Sequence, residues 1–304
     1  MQSAYIGKLM EIAEQDHNVL HVLADSGTGY DEMFRRYFPD QILNFGISEE
    51  HMVAAAAGMA TVGKIPFVFT AGAFLAYRSL EFIRDDVCFQ NQNVKIVGMG
   101  SGLSWSSLGP THHTTEDIGV LRTLPNLMLL SPATPRQTAK CVKTAYEHNG
   151  PVYIRIGMNH EKEFFDETYM PSDNGTDTVI EGSDILIYCT GSILEEVVEA
   201  AGMLRERGVS AKVINVWKIK PFVANLVAEG YGKVIFTVEE HNIRGGLGSI
   251  IAEQVAYHGL GGRVIPIGIE DAFAVGYGTH RAVRAVNGLD AAGVFGRIMG
   301  VLNE

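Results

Sequence analysis

Short apolar runs alternate with longer stretches in which apolar residues recur every three or four positions, along most of the 304-residue chain. The short runs are typical of buried strands, and the longer periodic stretches are typical of helices. Their alternation predicts an α/β protein with mostly parallel sheets flanked by helices. In the first half, the predicted strands are 19–24, 42–45, 67–70, 94–98, 127–130 and 152–156, and the predicted helices are 3–14, 49–62, 74–89, 115–124 and 135–147.

The alternation breaks between residues 157 and 183, where Met170-Pro171-Ser172-Asp173-Asn174-Gly175 carries few periodic apolar positions. Segments of this composition commonly connect domains. We therefore predict two domains, 1–160 and 184–304, joined by a linker at 161–183, each near the ~150 residues expected of one domain. In the second domain, the predicted strands are 185–189, 211–215, 234–238 and 264–266, and the predicted helices are 195–207, 247–258 and 291–302.

Composition limits the classes of partner. The net charge is −11 without a run of Lys or Arg, so nucleic acid and anionic membranes are not expected partners. Cys88, Cys141 and Cys189 stand alone in apolar surroundings, which favours reduced core thiols. Residues 1–13 lack a secretory pattern, and we find no apolar run of ~20 residues. We therefore expect a cytoplasmic protein.

Glu49, in Phe45-Gly46-Ile47-Ser48-Glu49, lies where an apolar strand turns into an almost wholly apolar helix. Burying a carboxylate without a partner costs several kcal/mol, so this side chain needs a proton or a hydrogen-bonding partner. A carboxylate that stabilises the start of a helix accounts for the residue when the segment is considered alone. Other segments have to decide between this role and a chemical one.

Two such segments follow along the chain. In Gly109-Pro110-Thr111-His112-His113, a tight turn is followed by a threonine and two histidines at a predicted helix start, where backbone donors and imidazoles can serve an anionic ligand or move protons. The run from Phe67 to Arg78 is apolar and aromatic, which fits either core packing or a clamp for a flat heterocycle.

Taken in this order, the segments resemble the pyrimidine-binding domain of the transketolase family. The resemblance places Glu49 at the position of the glutamate that hydrogen-bonds the aminopyrimidine of thiamine diphosphate and favours its imino form. Phe74 and Tyr77 match aromatic residues that pack on that ring, while a third aromatic position falls on Ala71. Asp25, in Leu23-Ala24-Asp25, matches an acidic residue that follows the first strand.

The same resemblance assigns the substrate side. His112 matches the active-site histidine, Thr111 and His113 would face substrate beside it, and Arg78 follows in a Phe-Leu-x-x-Arg segment on the cofactor side. Residues 238–248 are similar to the C-terminal domain of the family. The glycines at 245–248 lack the spacing of a dinucleotide fingerprint, so we predict helix packing or an interface contact there.

The diphosphate half of a thiamine site is missing. The family signature for the metal and the diphosphate begins with Gly-Asp-Gly, and this tripeptide occurs nowhere in the sequence. The resemblance therefore implies a split transketolase, in which the diphosphate and Mg²⁺ are bound by a separate N-terminal subunit. This chain would be the C-terminal subunit without a metal site of its own, working in a heterotetramer with paired active sites.

Three positions depart from sugar-phosphate transketolases. Leu108 replaces an acidic residue, Gly100 replaces a histidine, and Met158 falls near an arginine that pairs with substrate phosphate. Arg155, His160 or a residue of the partner subunit could supply the lost phosphate contact. Without it, the usual pentose phosphates are doubtful substrates.

The implied reaction is the transfer of a two-carbon ketol unit from a ketose to an aldehyde, with sugars as substrates. Two related activities share the architecture, a 1-deoxyxylulose-5-phosphate synthase-like one and that of a 2-oxo acid dehydrogenase, of which this chain would be the beta-type chain. A non-catalytic scaffold protein with a degenerate site is the alternative of a different class.

Overall fold

The structure, a computed structural model, describes residues 1–25, 29–223 and 232–304. Two α/β domains follow each other along the chain. The helices of the first domain are α1 (Gln2–Gln15), α2 (Gly29–Tyr37), α3 (Glu49–Thr61), α4 (Leu80–Phe82), α5 (Asp117–Leu121) and α6 (Pro135–Glu147), with a short 3₁₀ turn at Pro39–Gln41. Its strands are β1 (Val19–Leu23), β2 (Ile42–Asn44), β3 (Ile65–Ala71), β4 (Lys95–Met99), β5 (Met128–Leu130) and β6 (Val152–Ile156).

The first sheet has the described order β10-β5-β6-β4-β3-β1-β2, in which β10 (Lys218–Lys220) is the antiparallel edge strand. The other strands are parallel. The registers form one row across the sheet, from Leu23 through Phe69 and Val97 to Ile154, and every member is buried. Helices cover both faces, α3 on one side and α1 with α6 on the other. The carboxyl ends of β1 to β4 therefore meet at one edge.

The second sheet has the described order β12-β11-β8-β9-β7, and β7 pairs antiparallel to β9. Its strands are β7 (Thr176–Ile180), β8 (Ile185–Thr190), β9 (Ala211–Val216), β11 (Val234–Asn242) and β12 (Arg263–Ile269). Its helices are α7 (Leu194–Glu206), α8 (Leu247–Tyr257), α9 (His280–Val286) and α10 (Ala291–Leu302), with a 3₁₀ turn at Gly191–Ile193.

The predicted α/β class with two mostly parallel sheets is confirmed. Strands β7 and β10 were not predicted, because both are short and polar, and β7 lies inside the segment proposed as a linker. The helix predicted at 115–124 is only α5, since the backbone before it pairs with the second domain: the carbonyl of Thr115 accepts a 2.7 Å hydrogen bond from the amide of Asn242. The helix predicted at 74–89 is present as α4 between two π-helical segments, Phe74–Arg78 and Ile83–Phe89.

One buried arginine joins the two domains. Arg155, on β6, is 2% exposed and donates from Nε to Asp117 at 2.9 Å. Its Nη2 donates to the carbonyls of Thr114 at 2.9 Å and Glu240 at 2.8 Å. Burial alone would lower the pKa of Arg155, but the carboxylate of Asp117 outweighs it and raises the pKa above its ordinary value. The expectation that Arg155 could bind substrate phosphate is therefore wrong, because its donors are engaged inside the protein.

One described segment, His280–Leu302, is long and apolar enough to cross a membrane by length and composition alone, contrary to the sequence expectation. It consists of α9 and α10 with a break between them, and Val283, Val294 and Ile298 are buried in the core of the second domain. The same pattern is found in core helices of globular domains, which is how this segment packs here.

Candidate active site

Glu49 is the first residue of α3, at the edge where the parallel strands end. The turn before it is fixed because the side chain of Asn44 accepts hydrogen bonds from the amides of Gly46 and Asp25, both at 3.0 Å. Gly46 has a φ of +68°, a backbone conformation that glycine adopts without strain. The chain then turns into the helix with the carboxylate pointing inward, and Glu49 is 1% exposed.

The buried carboxylate has a cationic partner. Arg78 donates from Nη1 to Glu49 Oε2 at 2.7 Å, and its guanidinium carbon lies 5.0 Å from the centre of the Phe74 ring. A buried carboxylate is tolerated only when it is paired, and a cation over an aromatic face is attracted by the ring. The Arg78 side chain is still 43% exposed, so this lid over Glu49 faces solvent.

His112 lies in an aromatic setting next to this pair. Its ring makes edge contacts with Phe74, at 5.0 Å between centroids, and with Trp105, at 5.9 Å. Thr111 Oγ1 lies 2.9 Å from His112 Nδ1, which fixes the orientation of the ring. The Nε2 atom has no hydrogen bond within the described part of the chain. An imidazole held in this way can accept or donate a proton at Nε2.

Glu49, Phe74 and His112 line one cleft of about 210 Å³, which we call the Glu49 cleft. Its complete lining consists of Ala24, Asp25, Ile47, Glu49, Thr70, Ala71, Phe74, Met99, Trp105, Leu108 and His112. A complete small-molecule site usually measures ~300–1,000 Å³ and is mostly apolar with a few polar groups. The Glu49 cleft has this chemical character, but its volume fits part of a ligand such as one heterocyclic ring.

A second cleft of about 260 Å³ opens beside it, which we call the His113 cleft. It is lined by Tyr77, Pro110, Thr111, His113, Thr115, Glu116, Val120, Phe273 and Ala274. Tyr77 donates from its hydroxyl to the Glu116 carboxylate at 2.8 Å and accepts from the Glu116 amide at 2.9 Å. Burial and the carboxylates of Asp117 and Glu116 raise the pKa of Tyr77 well above its ordinary value.

His113 is buried against this second cleft, and neither ring nitrogen has a hydrogen-bonding partner within the described residues. Burial lowers the pKa of His113 below its ordinary value. The ring is therefore neutral at physiological pH. Its position away from His112 means that the two adjacent histidines serve different clefts.

The structure thus divides the residues singled out from the sequence. Asp25, Glu49, Phe74 and His112 line the Glu49 cleft, with Arg78 on Glu49. Tyr77, Thr111 and His113 line the His113 cleft.

Other positions named from the sequence differ in their location. Met158 and His160 line a separate cleft beside Met1, outside the lining of both clefts above. Sequence reasoning missed Trp105. The glycines at 98, 100 and 102 were the available signal, because such a run indicates close approach of another group to the backbone.

Fold and site together define a class: a chain that contributes the carboxylate-bearing, ring-binding half of a thiamine-type active site and a second α/β domain. The chain belongs to the transketolase family. The family model for the transketolase pyrimidine binding domain matches residues 1–159, and the model for the transketolase C-terminal domain matches residues 175–294.

Relatives of similar length are parts of two-chain enzymes. One of the two kinds of chain in the apulose-4-phosphate transketolase of Actinobacillus succinogenes is 35% identical over 277 residues, covering 90% of this chain and 89% of the relative. A putative transketolase C-terminal section of Methanocaldococcus jannaschii is 33% identical over 302 residues, covering 98% and 95%. A solved split-gene transketolase, described as an inactive beta4 tetramer, superposes with a TM-score of 0.87 at 32% identity, covering 99% and 97%. The protein is a subunit of a split, thiamine diphosphate-dependent transketolase, and hence part of a transferase.

Proposed function

We propose that Glu49 activates the aminopyrimidine of thiamine diphosphate, that Phe74 packs on its ring and that His112 moves protons on the substrate. The cofactor, when bound, supplies the carbanion that carries the two-carbon unit. The observation that carries the proposal is a carboxylate 1% exposed in an apolar cleft, on the same wall as an aromatic ring and an oriented imidazole. A buried acid that shares a proton with a ring nitrogen needs this kind of surrounding.

Arg78 has to release Glu49 in this proposal, because a carboxylate bonded to a guanidinium cannot share a proton with a pyrimidine nitrogen. The exposure of Arg78 makes the exchange possible, since its side chain can turn toward solvent or toward an anionic group of the cofactor. Asp25, exposed at the rim with a φ of +51°, would contact the cofactor from the β1 side. Thr111 and His113 would face substrate near the second cleft.

The direct test is Glu49→Gln in the complex with the diphosphate-binding subunit. An amide keeps the shape and the Arg78 contact but cannot share the proton, so deuterium exchange at the thiazolium carbon should fall by ~10²–10⁴-fold. Glu50→Gln, one residue along in the first turn of α3, is the matched control and should exchange normally. Normal exchange in Glu49→Gln, with loss in Glu50→Gln, would assign the role to the neighbour instead.

We propose that the diphosphate and Mg²⁺ are held by the partner subunit and that two copies of each chain form a heterotetramer. Support comes from the absence of Gly-Asp-Gly in the sequence and from the names of the relatives as subunits. Within the described residues, moreover, no three His, Cys, Asp or Glu side chains converge on a point where they could hold a metal. Calorimetry should detect magnesium-dependent cofactor binding to the complex and not to this chain alone. Tight binding by the isolated chain would falsify the division of labour.

A cytoplasmic location is part of the proposal. Cys88, Cys141 and Cys189 are buried and unpaired, and burial raises the pKa of Cys88 and Cys189 to about 12. Protonated, inaccessible thiols gain nothing from an oxidising compartment. Fractionation of cells that produce a tagged chain should recover it with the soluble cytoplasmic proteins, and recovery outside the cytoplasm would reject the assignment.

We further propose that the substrates are not xylulose 5-phosphate and ribose 5-phosphate. Leu108, 44% exposed, presents apolar surface at the cleft where an acid would bind a sugar hydroxyl. Relatives at 35% and 30% identity are named for apulose 4-phosphate and 6-deoxy-6-sulfo-D-fructose, so chains of this type serve other sugars. A panel of ketose donors and aldehyde acceptors tests this: kcat/KM above ~10⁴ M⁻¹s⁻¹ for the pentose phosphate pair would contradict it.

A second activity has one observation in its favour. A 1-deoxy-D-xylulose-5-phosphate synthase of Geobacter sulfurreducens is 33% identical over 297 residues, although this chain covers only 45% of it. Adding pyruvate and glyceraldehyde 3-phosphate to the complex distinguishes the two reactions. Release of CO₂ with formation of a 1-deoxy-ketose would favour the synthase over ketol transfer.

A further inference from the structure

Trp105 is held in a seat that only glycine leaves open. It belongs to the loop after β4, where Gly100 has a φ of +81°. A Cβ atom added to Gly100 would overlap Nε1 and Cδ1 of the Trp105 indole. Two properties of one glycine, its backbone conformation and its missing side chain, therefore allow the indole to lie against the end of β4.

The loop that carries Trp105 is pinned at several points. The Trp105 carbonyl accepts hydrogen bonds from the amides of Leu108 at 3.0 Å and Gly109 at 3.2 Å. The indole Nε1 points to the carbonyl of Met99 at 3.4 Å. The neighbouring Ser106 exchanges hydrogen bonds in both directions with the backbone of Gly278, in the second domain. An aromatic side chain on such a loop keeps its place when a ligand arrives.

The indole lies on the substrate side of the Glu49 cleft. Its ring is 5.9 Å from His112, which in turn is 5.0 Å from Phe74, so Trp105 is farther along the cleft than the histidine. Leu108 and the 78%-exposed Ile47 add apolar surface.

The charges of the cleft point the same way. Its described lining contains the carboxylates of Asp25 and Glu49 but no lysine or arginine, and the nearby Arg78 is paired with Glu49. A phosphate group placed there would meet two negative charges and no free cation. A hydroxyl against the indole and leucine would lose its hydrogen bonds to water without replacement.

We propose that Trp105 is a specificity-determining residue that selects an aldehyde acceptor with an uncharged, deoxygenated third carbon, an inference that rests on the proposed function. If the aldehyde oxygen meets His112, two carbon–carbon bonds of ~1.5 Å each bring the third carbon to the indole. A C–H or methyl group packs on an aromatic face at that point, whereas a hydroxyl or a phosphate leaves a polar group unsatisfied.

Lactaldehyde, glyceraldehyde and glyceraldehyde 3-phosphate test the inference, because they differ only at the third carbon. With β-hydroxypyruvate as the two-carbon donor, the complete complex should prefer lactaldehyde to glyceraldehyde by about 10-fold in kcat/KM, as expected for one buried unpaired hydroxyl. The phosphorylated acceptor should be the poorest of the three.

Trp105→Ala should lose the preference for lactaldehyde chiefly through a higher KM, while kcat for the two-carbon acceptor glycolaldehyde, which ends before the indole, stays within ~3-fold. Trp105→Phe keeps an aromatic face and should keep most of the preference. Tyr257→Ala is the matched control, since it removes an 80%-exposed aromatic ring at the end of α8 that lines neither cleft. An unchanged acceptor ratio in Trp105→Ala, or a wild-type preference for the phosphorylated acceptor, would overturn the assignment.

A binding readout separates this inference from the proposed function. The chain has two tryptophans, and Trp217 is fully buried, so Trp217→Phe leaves Trp105 as its only indole. Emission from this variant in the complex should change saturably with lactaldehyde at lower concentration than with glyceraldehyde. That result supports the assignment even in a complex that turns over neither acceptor. Turnover of both acceptors without the difference overturns the assignment and leaves the proposed function intact.

Discussion

Arg155→Met should destabilise the chain strongly without acting through the substrate. The change removes the guanidinium and leaves the buried Asp117 carboxylate with only the 2.9 Å hydrogen bond from Tyr153. Two buried carbonyls, of Thr114 and Glu240, lose their donors as well. Breaking one side of a buried ion pair costs ~3–5 kcal/mol. At ~2–4 °C per kcal/mol for 150–250 residues, Tm should fall by about 6–20 °C.

The assay is calorimetric unfolding of the purified chain, with Arg263→Met as the control. Arg263 forms an exposed pair with Glu304 at 3.1 Å, a type of contact worth ~0–1 kcal/mol, so its loss should shift Tm by a few degrees at most. The double variant Arg155→Met/Asp117→Asn should recover part of the stability, since it removes the uncompensated charge while an amide oxygen still accepts from Tyr153. A Tm within about 3 °C of the wild type, combined with a raised KM for phosphorylated substrates, would refute the structural role and restore the role of a phosphate contact.

Three further outcomes are expected. Tyr77→Phe, whose hydroxyl serves Glu116 in the His113 cleft, should change deuterium exchange at the thiazolium carbon little, whereas Phe74→Ala should reduce it; the reverse order would place the pyrimidine against Tyr77. Burial alone would raise the pKa of Glu240, but Arg284 and His280 hold it below the ordinary value, so its stabilising effect is present above pH ~4.3 and is lost as pH falls further. Glu240→Gln should therefore narrow the difference in urea midpoint between pH 6 and pH 3.5, and an unchanged difference would exclude this carboxylate. Gly100→Ala should displace the indole and cost ~1–3 kcal/mol through its positive φ, detectable as a red shift of the emission in the Trp217→Phe background, and an unshifted spectrum would show that the seat tolerates a methyl group.

The sequence predicted the buried framework well for a physical reason. Strands such as β3 and β6 are buried along nearly their whole length, and burial on both sheet faces leaves an apolar run that is easily recognised. Glu49 was predictable for the same reason, since a single charge at the boundary between two apolar segments stands out. Helix α6 was signalled by Thr134, whose side chain accepts a hydrogen bond from the amide of Gln137 as a helix cap does.

What the sequence concealed depends on contacts between distant residues. Strand β10 consists of Lys218–Lys220, and its pairing with β5 of the first domain satisfies an edge that no local pattern reveals. Tyr77 and Phe74 are three residues apart, which on a regular helix places them on one face. The π-helical turn at Phe74–Arg78 changes this spacing, and Tyr77 reaches Glu116 instead. The two histidines separate because the backbone carbonyl of Gly109 binds both of their amides in a tight turn.

The pairing of Arg78 with Glu49 accounts for how half of an active site can exist on a separate chain. An apolar cleft with an unpaired buried carboxylate would cost several kcal/mol until the other subunit arrived. The guanidinium removes that cost by a 2.7 Å hydrogen bond and covers Phe74 at the same time, yet it remains 43% exposed and attached to a flexible side chain. Binding of the cofactor then replaces one partner of Glu49 by another, instead of burying a charge anew. Removing the guanidinium by Arg78→Met should accordingly destabilise the isolated chain more than the assembled complex, because only in the complex does the proposed pyrimidine partner compensate.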